Sequence, residues 1–183
     1  MENNCIFLVT DLLGPSLEDL FNFCGKQFSF KTTLMLFYQS IQRLELMHKL
    51  DFIHRDIKPD NMMMGLGADS NILHLIDFGL SRTVIDPATA KHIKFVKGKN
   101  LIGTCRFVSV NSHLGYELSR RDDLMTLGFV MIQFIRGSLP WKNVQIKQNS
   151  ARYRKLGKAK VRYQETTLYD NLPPVFKAYM DYC

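Results

Sequence analysis

Within the eight residues His54-Arg55-Asp56-Ile57-Lys58-Pro59-Asp60-Asn61, a carboxylate, an ammonium and an amide stand at Asp56, Lys58 and Asn61, and Asp77-Phe78-Gly79 follows 16 residues after Asn61. This order of groups suits phosphoryl transfer from a nucleotide. Asp56 would accept or orient the proton of an attacking hydroxyl, and Lys58, two residues on along an extended loop, can reach the transferring phosphate. Asn61 offers a neutral oxygen to a Mg2+ ion, and Asp77 would bridge the metals that screen the β- and γ-phosphates. Gly79 supplies φ freedom for a turn, and Pro59 removes a donor and stiffens the loop. A lone Asp is usually a solvated turn residue or a helix cap. Five correctly spaced partners argue against that reading for Asp56 and Asp77.

The elements that must hold these groups are visible in the hydrophobic pattern. Cys5 to Val9 is a short apolar run that reads as a buried strand, broken at Asp11-Leu12-Leu13-Gly14-Pro15 by a linker or turn. From Lys31 the residues Leu34, Phe37, Ile41 and Leu44 recur at helical steps behind Ser29 as N-cap, which predicts a core-facing helix leading to the 54–61 loop. Met62 to Met64 and Ile72 to Ile76 read as two short strands around a Gly65 to Asn71 turn, with Asp77 at a strand end. From Ser81 to Asn111 the pattern is polar and aperiodic, as expected of a segment covering the substrate side. Leu124, Leu127, Met131 and Phe134 restore helical spacing beyond Asp122-Asp123, and Gly137-Ser138-Leu139-Pro140 stops that helix.

The 183 residues are 46% hydrophobic, enough for one core and too few to demand two domains. Cys5, Cys24, Cys105 and Cys183 are far apart and form no Cys-x-x-Cys pair, so neither a zinc site nor a disulfide framework is indicated, and a reducing, intracellular setting is expected. The start has no basic region followed by an apolar stretch and a cleavage site, and no apolar run approaches the ~20 residues of a membrane span. The net charge of +7 is concentrated late: Lys142, Lys147, Arg152, Arg154, Lys155, Lys158, Lys160 and Arg162 occur without an intervening Asp or Glu. Such a block attracts acidic or phosphorylated peptides, nucleic acid or an anionic membrane, although most charge runs are solvated helix or loop faces. Only Tyr153 and Tyr163 interleave it with aromatics, so a nucleic-acid partner is not expected.

The chain resembles protein kinases, and within them the casein kinase I family. The likeness rests on the 54–61 and 77–79 motifs together with Leu12-Leu13-Gly14-Pro15-Ser16-Leu17-Glu18-Asp19-Leu20-Phe21, Gly65-Leu66-Gly67, His113-Leu114-Gly115, Ser119-Arg120-Arg121-Asp122-Asp123 and Gly137-Ser138-Leu139-Pro140-Trp141. Ser109-Val110-Asn111 replaces the Ala-Pro-Glu of most kinases, similar to the Ser-Ile-Asn of that family. The resemblance implies a mainly α (α+β) fold, the large C-terminal lobe of a kinase, with residues 1–183 forming a partial domain that runs from the hinge through the central helices. The small lobe and the final helices are expected to be missing: no Gly-x-Gly-x-x-Gly loop and no Val-Ala-Ile-Lys strand occurs in these residues.

The same resemblance implies roles for individual residues. Asp11 to Leu13 would be the hinge that bonds adenine, Thr10 the gatekeeper, Ser16 and Asp19 neighbours of the ribose, and Met63 and Ile76 the two sides of the base. Asp123 would brace the 54–61 backbone. Arg106 and Arg152 look like a pair that binds an anion, which would favour acidic or already phosphorylated protein substrates. The implied cofactors are ATP and Mg2+, and the expected location is the cytoplasm, with the nucleus as a second compartment. A noncatalytic kinase-derived module that docks acidic or phosphorylated partners is the competing reading.

Overall fold

The computed structural model describes the backbone of residues 7–144 and 150–183 and the side chains of all of these except 150–152. Helix α1 spans Leu17–Phe23 and is opened by a reciprocal cap: Ser16 Oγ accepts from the Asp19 N–H at 3.1 Å, and the Ser16 N–H donates to Asp19 Oδ2 at 3.0 Å. Helix α2, Phe30–Lys49, starts where predicted, with Ser29 Oγ accepting from the Thr32 N–H. Its fully buried stripe is Thr33, Leu36, Ser40 and Leu44. Phe37 and Ile41 pack on the core from the flank, whereas Leu34, expected in the core, is 38% exposed because the buried face lies to one side of it.

The strands β2 (Met62–Met64) and β3 (Leu73–Leu75) form the expected antiparallel hairpin in the register Met62↔Leu75 and Met64↔Leu73. The linker before α1 is stitched to this hairpin, since the Gly14 N–H donates to Met64 O and the Met64 N–H to Pro15 O. A strand over Cys5 to Val9 is not formed by the described residues. Phe7, Leu8 and Val9 are more than four-fifths exposed, and no described strand lies beside them to satisfy a backbone ladder. Cys5 itself lies outside the described residues.

The aperiodic 81–111 stretch carries more regular backbone than its sequence suggested. β4 (Arg82–Thr83) pairs antiparallel with β1 (Phe52–Ile53), and β5 (Ile85–Asp86) pairs with β6 (Lys91–His92). Three helices follow α3 (Val110–His113): α4 (Arg120–Arg136), α5 (Ser150–Glu165) and α6 (Pro174–Tyr182). α4 is the axis of the core. Every residue from Thr126 to Phe134 is buried, so the predicted one-sided stripe is in fact a helix covered all round. Phe134 stacks with Phe21 and Phe28 at one end, with centroids 4.9–5.2 Å away. At the other, Tyr179 and Met180 of α6 crowd against Gly128, where a Cβ would collide with the Met180 sulfur. Gly137 then ends the helix in the left-handed conformation, φ +80°. The fold is mixed α+β, and no described helix is long and apolar enough to cross a membrane.

Candidate active site

Asp123, in the first turn of α4, sets the shape of the 54–61 loop. Its buried carboxylate accepts the N–H groups of His54 and Arg55, each at 2.8 Å, and lies 2.9 Å from His48 Nε2. Two consecutive N–H groups converge on one carboxylate because Arg55 adopts a left-handed conformation, φ +68°. That costs a non-glycine residue about 1–3 kcal/mol, which the buried charge-assisted bonds offset. The His54 ring sits in the core with Nε2 donating to Ile76 O at 3.0 Å, which leaves Nδ1 to accept from the Asp56 N–H. Its other neighbour is Phe78, with centroids 5.4 Å apart.

Both oxygens of Asp56 are held. Oδ1 accepts from the Thr104 N–H at 2.9 Å and Thr104 Oγ1 at 2.7 Å. Oδ2 is 2.8 Å from Lys58 Nζ and 3.3 Å from Asn61 Nδ2, whose second bond goes to Asp56 O at 3.0 Å. Burial opposes the charged form, but the bonds from Lys58 and Thr104 and the Lys58 charge outweigh it, and the Asp56 carboxyl lies below the usual carboxylate range. The bond to Asp56 raises Lys58 against a smaller desolvation penalty. The three residues Asp56, Lys58 and Asn61 therefore form one ionised cluster. Thr104 is a member that the sequence reading did not single out. Its only signal there was a hydroxyl directly after Gly103, 48 residues from its partner.

Asp77 is brought beside this cluster by the Ile76 N–H, which donates to Asn61 O at 3.0 Å. It lies two residues beyond the end of β3 and is exposed. The left-handed residue of the Asp-Phe-Gly turn is Asp77 itself, φ +62°, rather than Gly79. The Gly79 N–H donates to Asp77 Oδ1, and a Cβ on Gly79 would come within 3.1 Å of that oxygen, a tight contact that a small shift of the exposed Asp77 side chain relieves. With both Asn61 N–H groups turned to Asp56, its oxygen is left for a ligand, and Asp77 retains an oxygen without a partner among the described residues. No group of three or more His, Cys, Asp or Glu forms a metal cage among the described residues. One carboxylate and one amide oxygen suit Mg2+, which keeps waters and takes its remaining ligands from phosphates.

The residues assigned to the nucleotide fall partly together. Met63 and Ile76 are half-buried; Met63 bridges the Ser16 backbone at the start of α1, and Ile76 lies against Asn61 through its N–H. Ser16 and Asp19 spend their polar atoms on each other, with Ser16 Oγ donating to Asp19 Oδ2 at 2.6 Å, a bond that lowers the Asp19 pKa. Thr10 and Asp11 are exposed, and Leu13 is half-buried on the way to the hairpin.

Arg106 is exposed, and its carbonyl accepts from Trp141 Nε1 at 2.9 Å. Arg152 falls in the first turn of α5, but its side chain lies outside the described residues, as does Lys147. Within the basic block, Lys142, Arg154, Lys155, Lys158 and Arg162 are exposed as a solvated face would be. Lys160 is the exception: it is completely buried. The spacing Leu156, Gly157, Lys160 placed it on the inward face of the helix, a signal masked by the charges around it.

The family model described as protein kinase domain matches residues 1–180. The match takes in the hairpin, the clustered Asp56, Lys58 and Asn61, the adjoining Asp77 and the α4 core that braces them, and the chain accordingly belongs to the protein kinase family.

Proposed function

We propose that this chain is the large-lobe part of a protein serine/threonine kinase of casein kinase I type, acting in the cytoplasm or nucleus on acidic or already phosphorylated proteins. The observation that carries the kinase reading is the Asp56 carboxylate. It is 6% exposed, ionised, and gripped on one oxygen by Thr104 and on the other by Lys58 and Asn61. Family members use ATP with Mg2+, which would supply the transferable phosphoryl group and screen its charge.

In this reading the residues divide the work. Asp56 aligns the hydroxyl of the target Ser or Thr and receives its proton. Held below the usual carboxylate range, it is a weak base, so orientation is its larger contribution. Lys58, already paired with Asp56, presents its remaining N–H donors to the phosphate side. The Asn61 oxygen and the Asp77 carboxylate hold the metal, while Met63 and Ile76 provide apolar contact for the base, with the 11–13 backbone beside its edge. Arg106 and Arg152 take an upstream phosphate or carboxylate of the substrate.

The experiment is phosphate transfer to casein by residues 1–183, alone and with a casein kinase I small lobe fused ahead of Met1. The expected result is negligible transfer by the former, since a phosphate-loop and its lysine each supply several kcal/mol of barrier lowering. The fused protein should label Ser and Thr in an Asp56-dependent manner. Absence of transfer by a folded fusion, or transfer indifferent to Asp56→Asn, would refute the reading.

A further inference from the structure

We propose that Lys160 is a positioning residue, which from inside α5 holds the carbonyls of the 103–108 turn and thereby keeps Thr104 seated on the Asp56 carboxylate. The Lys160 ammonium donates to Cys105 O at 3.0 Å and to Val108 O at 2.6 Å, and it stands 5.2 Å from the Phe129 ring centroid and 5.3 Å from that of Trp141. None of its described partners is a carboxylate. A buried ammonium is costly unless its donors are satisfied, and burial drives the Lys160 pKa well down. Two carbonyls and two aromatic faces are what compensates it.

The turn it grips is held by two backbone bonds and by side chains that cap three of its carbonyls. Thr104 O accepts the backbone N–H groups of Phe107 and Val108 at 2.8 and 3.1 Å, Arg106 O accepts from Trp141, and Lys160 caps the carbonyls of Cys105 and Val108. At its other end the turn abuts the 54–61 loop. Gly103 has φ +88°, and a Cβ on it would lie 2.4 Å from Arg55 O. Clearance of that kind permits little drift, so the position of Thr104 depends on both anchors. An apolar residue at 160 would fill the space but leave the carbonyls of Cys105 and Val108 unpaired in the interior. Only a long donor reaches both from α5. α5 is close enough to serve as an anchor because Gly157 lets its backbone meet the His113 side chain, where a Cβ would come within 2.7 Å.

The link to Asp56 as a reacting group rests on the kinase reading; the mechanical claim does not, and the test separates them. Hydrogen exchange is measured on residues 1–183 for wild type, Lys160→Met and Lys160→Arg. The expected outcome is about 10-fold or more faster exchange of the Thr104, Phe107 and Val108 amides in Lys160→Met, with Val130 and Met131 in α4 unchanged and protection restored in Lys160→Arg. In the small-lobe fusion, Lys160→Met should lower kcat by about 10-fold or more while KM for ATP stays within about twofold. Unchanged exchange at Thr104, or loss of protection spread equally through α4, would overturn the proposal. Faster exchange at the turn with no phosphate transfer from any fusion would sustain the clamp and remove the kinase reading instead. Should Lys160→Met unfold the chain, Lys160→Gln, which keeps a shorter donor at the same point, is judged by the same comparison.

Discussion

Asp123→Asn tests whether one buried carboxylate organises the 54–61 loop. The wild-type side chain is 2% exposed and accepts bonds from the His54 and Arg55 N–H groups at 2.8 Å each, with His48 Nε2 at 2.9 Å on the same oxygen as His54. An amide of the same shape has a single oxygen. Whichever way it turns, its NH2 group faces a backbone N–H, so at least one charge-assisted bond of about 1.5–3 kcal/mol is lost and two donors are left opposed in the interior. The sum is about 3–5 kcal/mol, the usual cost of breaking a buried charged contact. For a chain of this length that lowers Tm by roughly 6–20 °C, at about 2–4 °C per kcal/mol. Urea unfolding followed by the fluorescence of Trp141, the only tryptophan and 2% exposed, reports the same quantity. Asp181→Asn, which breaks only the exposed Lys177–Asp181 pair on α6, serves as control and should stay within about 0.5 kcal/mol of wild type. If Asp123→Asn were equally silent, with an unchanged urea dependence, the loop would owe its shape to its own sequence and the bracing argument would fall.

Three further outcomes follow from the geometry. Burial, with the Lys160 charge second, holds His113 at about 3, and neither ring nitrogen makes a well-formed hydrogen bond. The unfolded chain therefore takes up a proton below about 6.5 that the folded chain refuses, and stability falls by about 1.4 kcal/mol per pH unit as pH drops from there; His113→Gln should flatten that slope between pH 6.5 and 4.5 in urea titrations. Asp77→Asn should weaken Mg-ATP binding in the small-lobe fusion, whereas Asp56→Asn should leave it nearly intact, and equal losses by calorimetry would contradict the division of roles. Neutralising Arg106 and Arg152 together should cost roughly 10- to 100-fold in kcat/KM for a peptide with an upstream phosphoserine relative to its unphosphorylated counterpart, with salt eroding the preference; an unchanged ratio at low salt would return the basic block to a solvated face.

Local spacing foretold what local physics decides. Ser29 caps α2, Gly137 ends α4, and the 62–75 hairpin forms around the Gly65 to Asn71 turn, because a cap, a left-handed glycine and a short turn each act within a few residues. Asp123 as the brace of the loop came from resemblance and agrees with its bonds. What escaped were contacts between distant segments. Thr104 reaches Asp56 across the fold, Lys160 is buried by the turn it holds, and α4 is enclosed because α1, α2 and α6 approach from different sides. The Phe7 to Val9 run shows the converse: strand-like residues stay exposed and form no strand where no neighbouring ladder meets them.

The enclosure of α4 also bears on how the chain can be made. A helix buried from Thr126 to Phe134 on every side keeps an apolar face open until α6 arrives, since Met180, which closes the side at Gly128, is made well after α4. At ~5–20 residues per second a ribosome needs roughly 2–8 s to pass from Arg136 to Pro174. Throughout that interval α1 and α2 can already cover their sides of α4, but the side at Gly128 stays open. Newly synthesised molecules are thus most prone to aggregation at one definable stage of translation, and chaperone demand in the cell should concentrate there.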